Sequence, residues 1–431
     1  MKKNIFYCLT LIIFLLFPLT SNSQTVDVEI KTNGDTKKET FDLPVGMTYP
    51  LDSLLQNWHI KTYIDINENC ETATTNPQFP DSVYIDRLQR IPAIMEMPYN
   101  PIVRKFIDLY TDRLRNQVSY MLSAGNFYIP IFESALDAYN LPLELKYLPI
   151  IESALNPTAT SRAGACGLWQ FMLATSKLYG LETNSLIDER KDPVKSTWAA
   201  ARYLSDLYEI YNDWNLVIAA YNCGPGNVNK AIRRAGGETD YWNIYPYLPK
   251  ETQGYVPAFI AANYVMQYYC EHNICAMKTN IPANTDTIQV NQNLHFKQIE
   301  ELCGTNIEEL KSLNPQYNTQ VIPGDIKGYT LRLPLEQISS FIEQQDTIYN
   351  HRSDELFRRR TQVAVTPKVQ AAAKRESPAT AKGTLSYHKI KPGETLSVIA
   401  KKYKVSVKQI QQWNGLRTTR INAGKSLKIY K

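Results

Sequence analysis

Five histidines are scattered through 431 residues, and neither they nor the cysteines show zinc-site spacing. That removes imidazole metal sites and His-activated nucleophiles as first explanations, and no cofactor is implied. Beyond Phe17 no apolar run is long enough to cross a bilayer, which takes roughly 20 residues. Between Glu152 and Glu182 there is no acid at all. The only long apolar run, Ile5 to Phe17, follows Lys2 and Lys3 and precedes Ser21-Asn22-Ser23. This pattern reads as an export signal over 1–23, cleaved before Gln24, and places the chain in the periplasm or cell envelope. Cys8 lies too early, after a Tyr, for a lipoprotein cysteine. Six cysteines remain, in a compartment that permits disulfides. Cys270 and Cys275 are close enough in sequence to pair; free thiols are the equal alternative.

Charge is divided unevenly. Residues 24–350 carry −12, residues 351–383 carry +5 and residues 384–431 carry +10. A basic tail on an acidic body is drawn to a polyanion. An exported chain does not meet nucleic acid, so wall polymers and anionic lipid surfaces are the candidate partners.

Residues 24–100 mix Thr, Asn, Asp and Pro and read as short strands, turns and a helix or two. From Pro101, helical spacing takes over: Val103, Phe106, Ile107, Tyr110 and Leu114 recur on one face. Asp192-Pro193 is an N-cap followed by a first-turn proline. Val194, Trp198, Ala201, Leu204, Leu207, Tyr208 and Tyr211 then define an expected buried face. Gly224-Pro225-Gly226 is a stop signal. Pro149 either kinks a helix or begins a short new one. The expected fold class is mainly α over 101–280. A flexible linker rich in Ala, Pro, Lys and Ser is expected over 347–384.

An internal repeat lies at a shift of 100 residues. Phe296, Ile299, Leu310 and Asn314 fall on Leu396, Ile399, Ile410 and Asn414. After a four-residue gap, Leu331 and Leu333 fall on Leu427 and Ile429. The second copy, 385–431, reads strand, turn, helix, helix, strand, with Pro392-Gly393 as the turn and Thr395 and Ser406 as caps. It resembles a LysM module, which implies a βααβ fold binding glycans that contain N-acetylglucosamine. The first copy, 286–336, lacks the Pro-Gly-Glu-Thr turn and is read as a degenerate LysM-like module.

One acid stands out. Glu152 ends an apolar run and faces the small-residue loop Ala159 to Gly167. An ordinary Glu titrates near 4.3, so donating a proton at pH 7 requires low-dielectric surroundings. Leu148, Ile150, Ile151, Leu155, Leu168 and Trp169 can supply them. The alternative is a structural carboxylate paired with Arg162.

Three stretches carry a wider resemblance: Glu152-Ser153 with Gly167-Leu168-Trp169-Gln170, then Ala220-Tyr221-Asn222, then Tyr255-Val256-Pro257. In this order, with Asp188-Glu189-Arg190 and Asp192-Pro193, they resemble goose-lysozyme-like lytic transglycosylases, specifically the membrane-bound D type with LysM modules. The resemblance implies a lysozyme-like helical catalytic domain acting on peptidoglycan glycan strands. It implies Glu152 as general acid and then base. It implies Ser161 and Gln170 as sugar-holding groups, Tyr221 and Asn222 as cleft lining, and Tyr255 as the hydroxyl that orients the acid. The missing second acid fits, because the family closes the sugar's own C6 hydroxyl onto C1. A muramidase of the same fold would need Asp188, Glu189 or Glu251 to activate water; a non-catalytic wall-binding protein is the remaining alternative. Cys166 and Cys223 stand in these motifs where small residues are usual.

Overall fold

The computed structural model describes residues 25–32, 35–55, 64–65, 75–279, 285–357, 385–416, 418–419 and 421–430. The expected signal segment 1–23 and most of the expected linker lie outside them. Helices dominate, and the chain divides into two compact units at Phe357/Arg358. Among the described residues no helix is long and apolar enough to cross a membrane.

In the first unit, the described residues of 25–100 pack into the core of the helices that follow. The strands Thr25–Thr32 and Asp35–Asp42 form an antiparallel hairpin. Its Val26, Val28 and Phe41 are buried in the same core as the helices that follow. Phe41 meets Phe106 edge-on at 6.4 Å. Behind the hairpin, Gly46 lies so close to the Glu152 helix that a Cβ would come within 2.1 Å of the Ile150 carbonyl oxygen. No other residue fits there without moving that helix.

The helix Pro101–Asp108 starts at Asn100, whose side chain accepts from the amides of Ile102 and Val103. Asp192 caps Pro193–Tyr211 in the same way. The buried face of that helix is Ser196, Thr197, Ala200, Ala201, Leu204 and Leu207. Trp198, expected inside, is 41% exposed and packs edge-on against Tyr139. Small residues face the neighbours because close helix approach leaves no room for an indole. Gly224, at φ +81°, ends Trp214–Cys223, and Pro225 opens Pro225–Arg234 directly after it.

Lys250–Tyr268 is the central helix, buried continuously from Thr252 to Met266. Its internal Pro257 has no N–H for the Gln253 carbonyl. The Tyr241 hydroxyl reaches that carbonyl instead, at 3.1 Å.

The first LysM-like module pairs Thr285–Val290 with Tyr329–Pro334, antiparallel, around the helices Phe296–Cys303 and Ile307–Leu313. Its core includes Ile187 from the preceding domain and Phe341, Ile348 and Tyr349 from beyond residue 336. Helical structure continues to Leu356, inside the stretch expected as linker. The amphipathic spacing there is too short to register as a helix in sequence. Gln298 ties this extension down by donating to the carbonyls of Tyr349 and His351.

The second unit is the expected βααβ arrangement. Leu385–Lys389 pairs antiparallel with Ser426–Tyr430, and Leu396–Tyr403 and Val407–Asn414 fill the space between. Thr395 and Ser406 cap the helices as expected.

Candidate active site

Glu152 lies in the last turn of Leu148–Ser153, a helix that Pro149 begins rather than kinks. The helix stops abruptly: Ala154 and Leu155 both take left-handed backbone conformations, at φ +50° and +59°. Such positions cost of order 1–2 kcal/mol for a residue like Leu. Buried packing of Leu155 and the bond from its amide to the Pro149 carbonyl hold it there.

Four side-chain hydrogen bonds join the three motif stretches. Ser153 donates to the Leu168 carbonyl at 2.9 Å. Tyr221 donates to the Trp169 carbonyl at 2.7 Å. Thr252 donates to Asn222 Oδ1 at 2.7 Å. Tyr255 donates to Glu152 Oε1 in a short bond. Distant stretches of sequence are thus fastened around one carboxyl group.

Glu152 is 9% exposed, and its Leu148, Ile150, Ile151, Leu155, Leu168 and Trp169 neighbourhood is entirely buried. Burial pushes its carboxyl up to about 8; the Tyr255 hydrogen bond works against this and the charge of Glu251 adds to it. No cation among the described residues pairs with it, Arg162 included. At pH 7 the group holds its proton. Oε2 has no protein partner among the described residues, which leaves it free to donate. The hydroxyls of Tyr255 and Tyr221 are held far from ionisation by burial and by the neighbouring Glu152. Tyr255 is therefore a fixed donor toward the carboxylate that proton transfer would leave.

Gln170 and Ser161 are both bonded within their own loop. Gln170, at φ +47°, turns inward and donates to the carbonyls of Ala159 and Gly167. Ser161 accepts from the Ala165 amide and closes its own turn. Neither is bonded to Glu152; both shape the loop beside it. Gly167, at φ +86°, could not be replaced, since a Cβ would lie 1.8 Å from the Arg190 carbonyl oxygen.

The other acids are committed elsewhere. Asp188 grips Arg190 through two oxygens, and Arg190 reaches the carbonyls of Gly164 and Phe171. Glu189 pairs with Lys195 and accepts from the Glu182 amide. Both brace the loop floor. Burial pushes the thiols of Cys166 and Cys223 up, away from the thiolate. Cys275 is disulfide-bonded, while Cys270 is free and exposed, so the two do not pair with each other. Among the described residues no cluster of His, Cys, Asp or Glu could hold a metal ion.

Sequence reasoning missed Tyr49. It is half-buried on the N-terminal segment, and its hydroxyl is held protonated by burial first, then by Cys166 and by the Glu152 carboxyl. No local pattern marks it; it stands about a hundred residues from the acid it faces.

The fold and this buried acid define a transglycosylase SLT domain joined to two LysM-type modules. Residues 130–244 match the transglycosylase SLT domain family, 284–350 the LysM-like domain of lytic transglycosylase MltD, and 388–429 the LysM domain. Over 294 residues the chain is 30% identical to membrane-bound lytic murein transglycosylase D of Escherichia coli K12. That match covers 67% of this chain and 60% of the relative. Soluble lytic murein transglycosylase of the same organism is 32% identical over 124 residues, 27% of this chain and 19% of that one. The solved 70 kDa soluble lytic transglycosylase of Escherichia coli aligns over 36% of this chain and 26% of its own, at 26% identity and a TM-score of 0.30.

Proposed function

We propose that this chain is an exported peptidoglycan lytic transglycosylase of the cell envelope. Its target is the β-1,4 bond between N-acetylmuramic acid and N-acetylglucosamine. The single observation that carries the reading is a buried carboxyl, raised to about 8, held by Tyr255 and paired with no cation among the described residues. Glu152 gives its proton to the glycosidic oxygen, and the N-acetylglucosamine side departs with a new 4-hydroxyl. The substrate's acetamido group stabilises the cation left at C1. Glu152, now a carboxylate steadied by the Tyr255 hydroxyl, takes the proton of the muramic C6 hydroxyl as O6 bonds to C1. The acid is regenerated and no water is consumed. Because the nucleophile sits in the same ring, proximity replaces a second catalytic carboxylate. Tyr221, Asn222, Ser161 and Gln170 shape the cleft, and the basic C-terminal LysM module holds the wall, raising local substrate concentration.

The muramidase reading keeps one foothold. Asp188 and Glu189 are engaged in ion pairs, but Glu251 is exposed and its charge reaches Glu152. Mass spectrometry of digested peptidoglycan separates the two readings. The transglycosylase yields anhydro ends one water lighter than the reducing ends a hydrolase leaves; reducing ends alone would overturn the proposal.

A further inference from the structure

The N-terminal segment packs directly on the helix that carries Glu152. Val45–Met47 form a single tight helical turn, and the Thr48 hydroxyl closes it by donating to the Val45 carbonyl at 2.8 Å. Besides the Ile150 oxygen, a Cβ on Gly46 would meet the Ala154 amide nitrogen and the Ile151 carbonyl carbon, each at 2.8 Å. The turn is thus seated on the backbone on either side of the acid, and the chain leaves it into Tyr49, which packs half-buried against the main core.

Three tyrosine hydroxyls among the described residues feel the charge of Glu152: those of Tyr49, Tyr221 and Tyr255. Two are already spent. Tyr255 donates to the carboxyl itself and Tyr221 to the Trp169 carbonyl. The Tyr49 hydroxyl makes no hydrogen bond, and unlike those of Tyr84 and Tyr110 it is not sealed from solvent. The other charge that reaches it belongs to Cys166, which is bonded through its backbone to Phe171 in the small-residue loop. Tyr49 therefore stands where the acid's helix and that loop come together, with one polar atom left over. No lysine or arginine acts on it. A carboxylate bound there would go unpaired, whereas a sugar hydroxyl or acetamide can both donate to a phenol and accept from it.

We propose that Tyr49 is a substrate-positioning residue: the N-terminal segment places its hydroxyl in the cleft, where it hydrogen-bonds an uncharged hydroxyl or acetamido group of the sugar on which Glu152 acts. This rests on the peptidoglycan reading above and deepens it, giving residues before 100 a part in holding the substrate.

The test is Tyr49→Phe in the full chain, assayed on soluble, uncrosslinked peptidoglycan strands. Loss of one neutral hydrogen bond to the sugar should lower kcat/KM about tenfold. The thermal midpoint should stay at the native value, because no bond within the protein is lost. The pH above which the rate declines should also stay, since Tyr49 is not among the groups that shift Glu152. Tyr110→Phe, which removes a sealed hydroxyl that no sugar can reach, should cleave like the native chain. The proposal is overturned if Tyr49→Phe cleaves as fast as the native chain or if its loss follows a lowered thermal midpoint. A displaced pH profile would also overturn it, since Tyr49 would then act through the acid and not on the sugar. A native chain that releases no anhydro ends would instead sink the peptidoglycan reading itself.

Discussion

The two LysM-type modules are built on one plan and put to different uses. In the first, Asn314 donates to the carbonyls of Leu310 and Arg332 and accepts from the Arg332 amide. In the second, Asn414 makes the same three bonds, to Ile410 and Lys428. Each asparagine pins its second helix to its last strand. The surfaces have diverged. His388 in the second module is buried between Tyr403 and Glu394, at 3.0 and 2.9 Å. The corresponding positions in the first are Ile288, Cys303 and Leu294. The first carries −1 over 288–334, the second +10 over 384–431. The first takes Ile187 of the SLT domain into its core and ties Lys327 and Tyr329 to Glu182. The second closes its core with its own residues. A repeated fold can be kept while its exterior is rebuilt, once as a docking face and once as a charged surface.

On the proposed function, cutting falls to the unit that contains the docked module and wall-holding to the basic one. Glu152→Gln should divide them most sharply. Turnover on purified peptidoglycan should fall about a thousandfold or more, while sedimentation of the protein with the wall stays as before. Loss of both together would break the division.

A pH series should separate them next. On the proposed mechanism Glu152 acts while protonated, and its carboxyl is raised to about 8. The cleavage rate should hold below that and decline about tenfold per pH unit above it. Wall retention, resting on lysines and arginines, should not follow this curve.

The shared asparagine comes third. Asn314→Ala and Asn414→Ala each remove the same three bonds and should cost about 2–4 kcal/mol. Calorimetry should show Asn314→Ala lowering the transition of the unit that ends at Phe357. Asn414→Ala should lower only that of the C-terminal unit. Ile187→Ala belongs beside it: a buried side chain deleted from the docking core should cost about 2–4 kcal/mol in the first unit alone.

The smallest effect should come from salt. Raising ionic strength from 0.05 to about 0.5 M shortens the Debye length to a few ångströms. Retention on the wall by the isolated residues 385–431, which form their own compact core, should weaken severalfold. Thermal stability of the first unit should move little.

Much of this was legible in sequence because it depends on neighbours along the chain. Asp192 and Pro193 announce a helix start through a carboxylate that accepts from the next amides and a ring that fits the first turn, and the caps at Thr395 and Ser406 work at the same range. The apolar residues around Glu152 lie within about twenty positions of it. The repeat shows because equivalent core positions demand equivalent residues. The continuation of the first module past residue 336 was not legible, since Phe341, Ile348 and Tyr349 become core only against helices some fifty residues earlier. Nor was the inward turn of Gln170, which a left-handed backbone angle dictates.

The sequence by itself determined where the side-chain-capped helices start, that one acid stands apart from others, and that a module occurs twice. Those properties follow from local hydrogen bonding, side-chain shape and charge. The tertiary structure alone decided that the acid keeps its proton, because that needs water excluded from every side at once. Tyr255 and the backbone at Gly46 contribute to that enclosure from positions about a hundred residues away in either direction. It also decided that one module is docked, because docking depends on which surface meets Ile187, and no single stretch of sequence contains both sides of a contact.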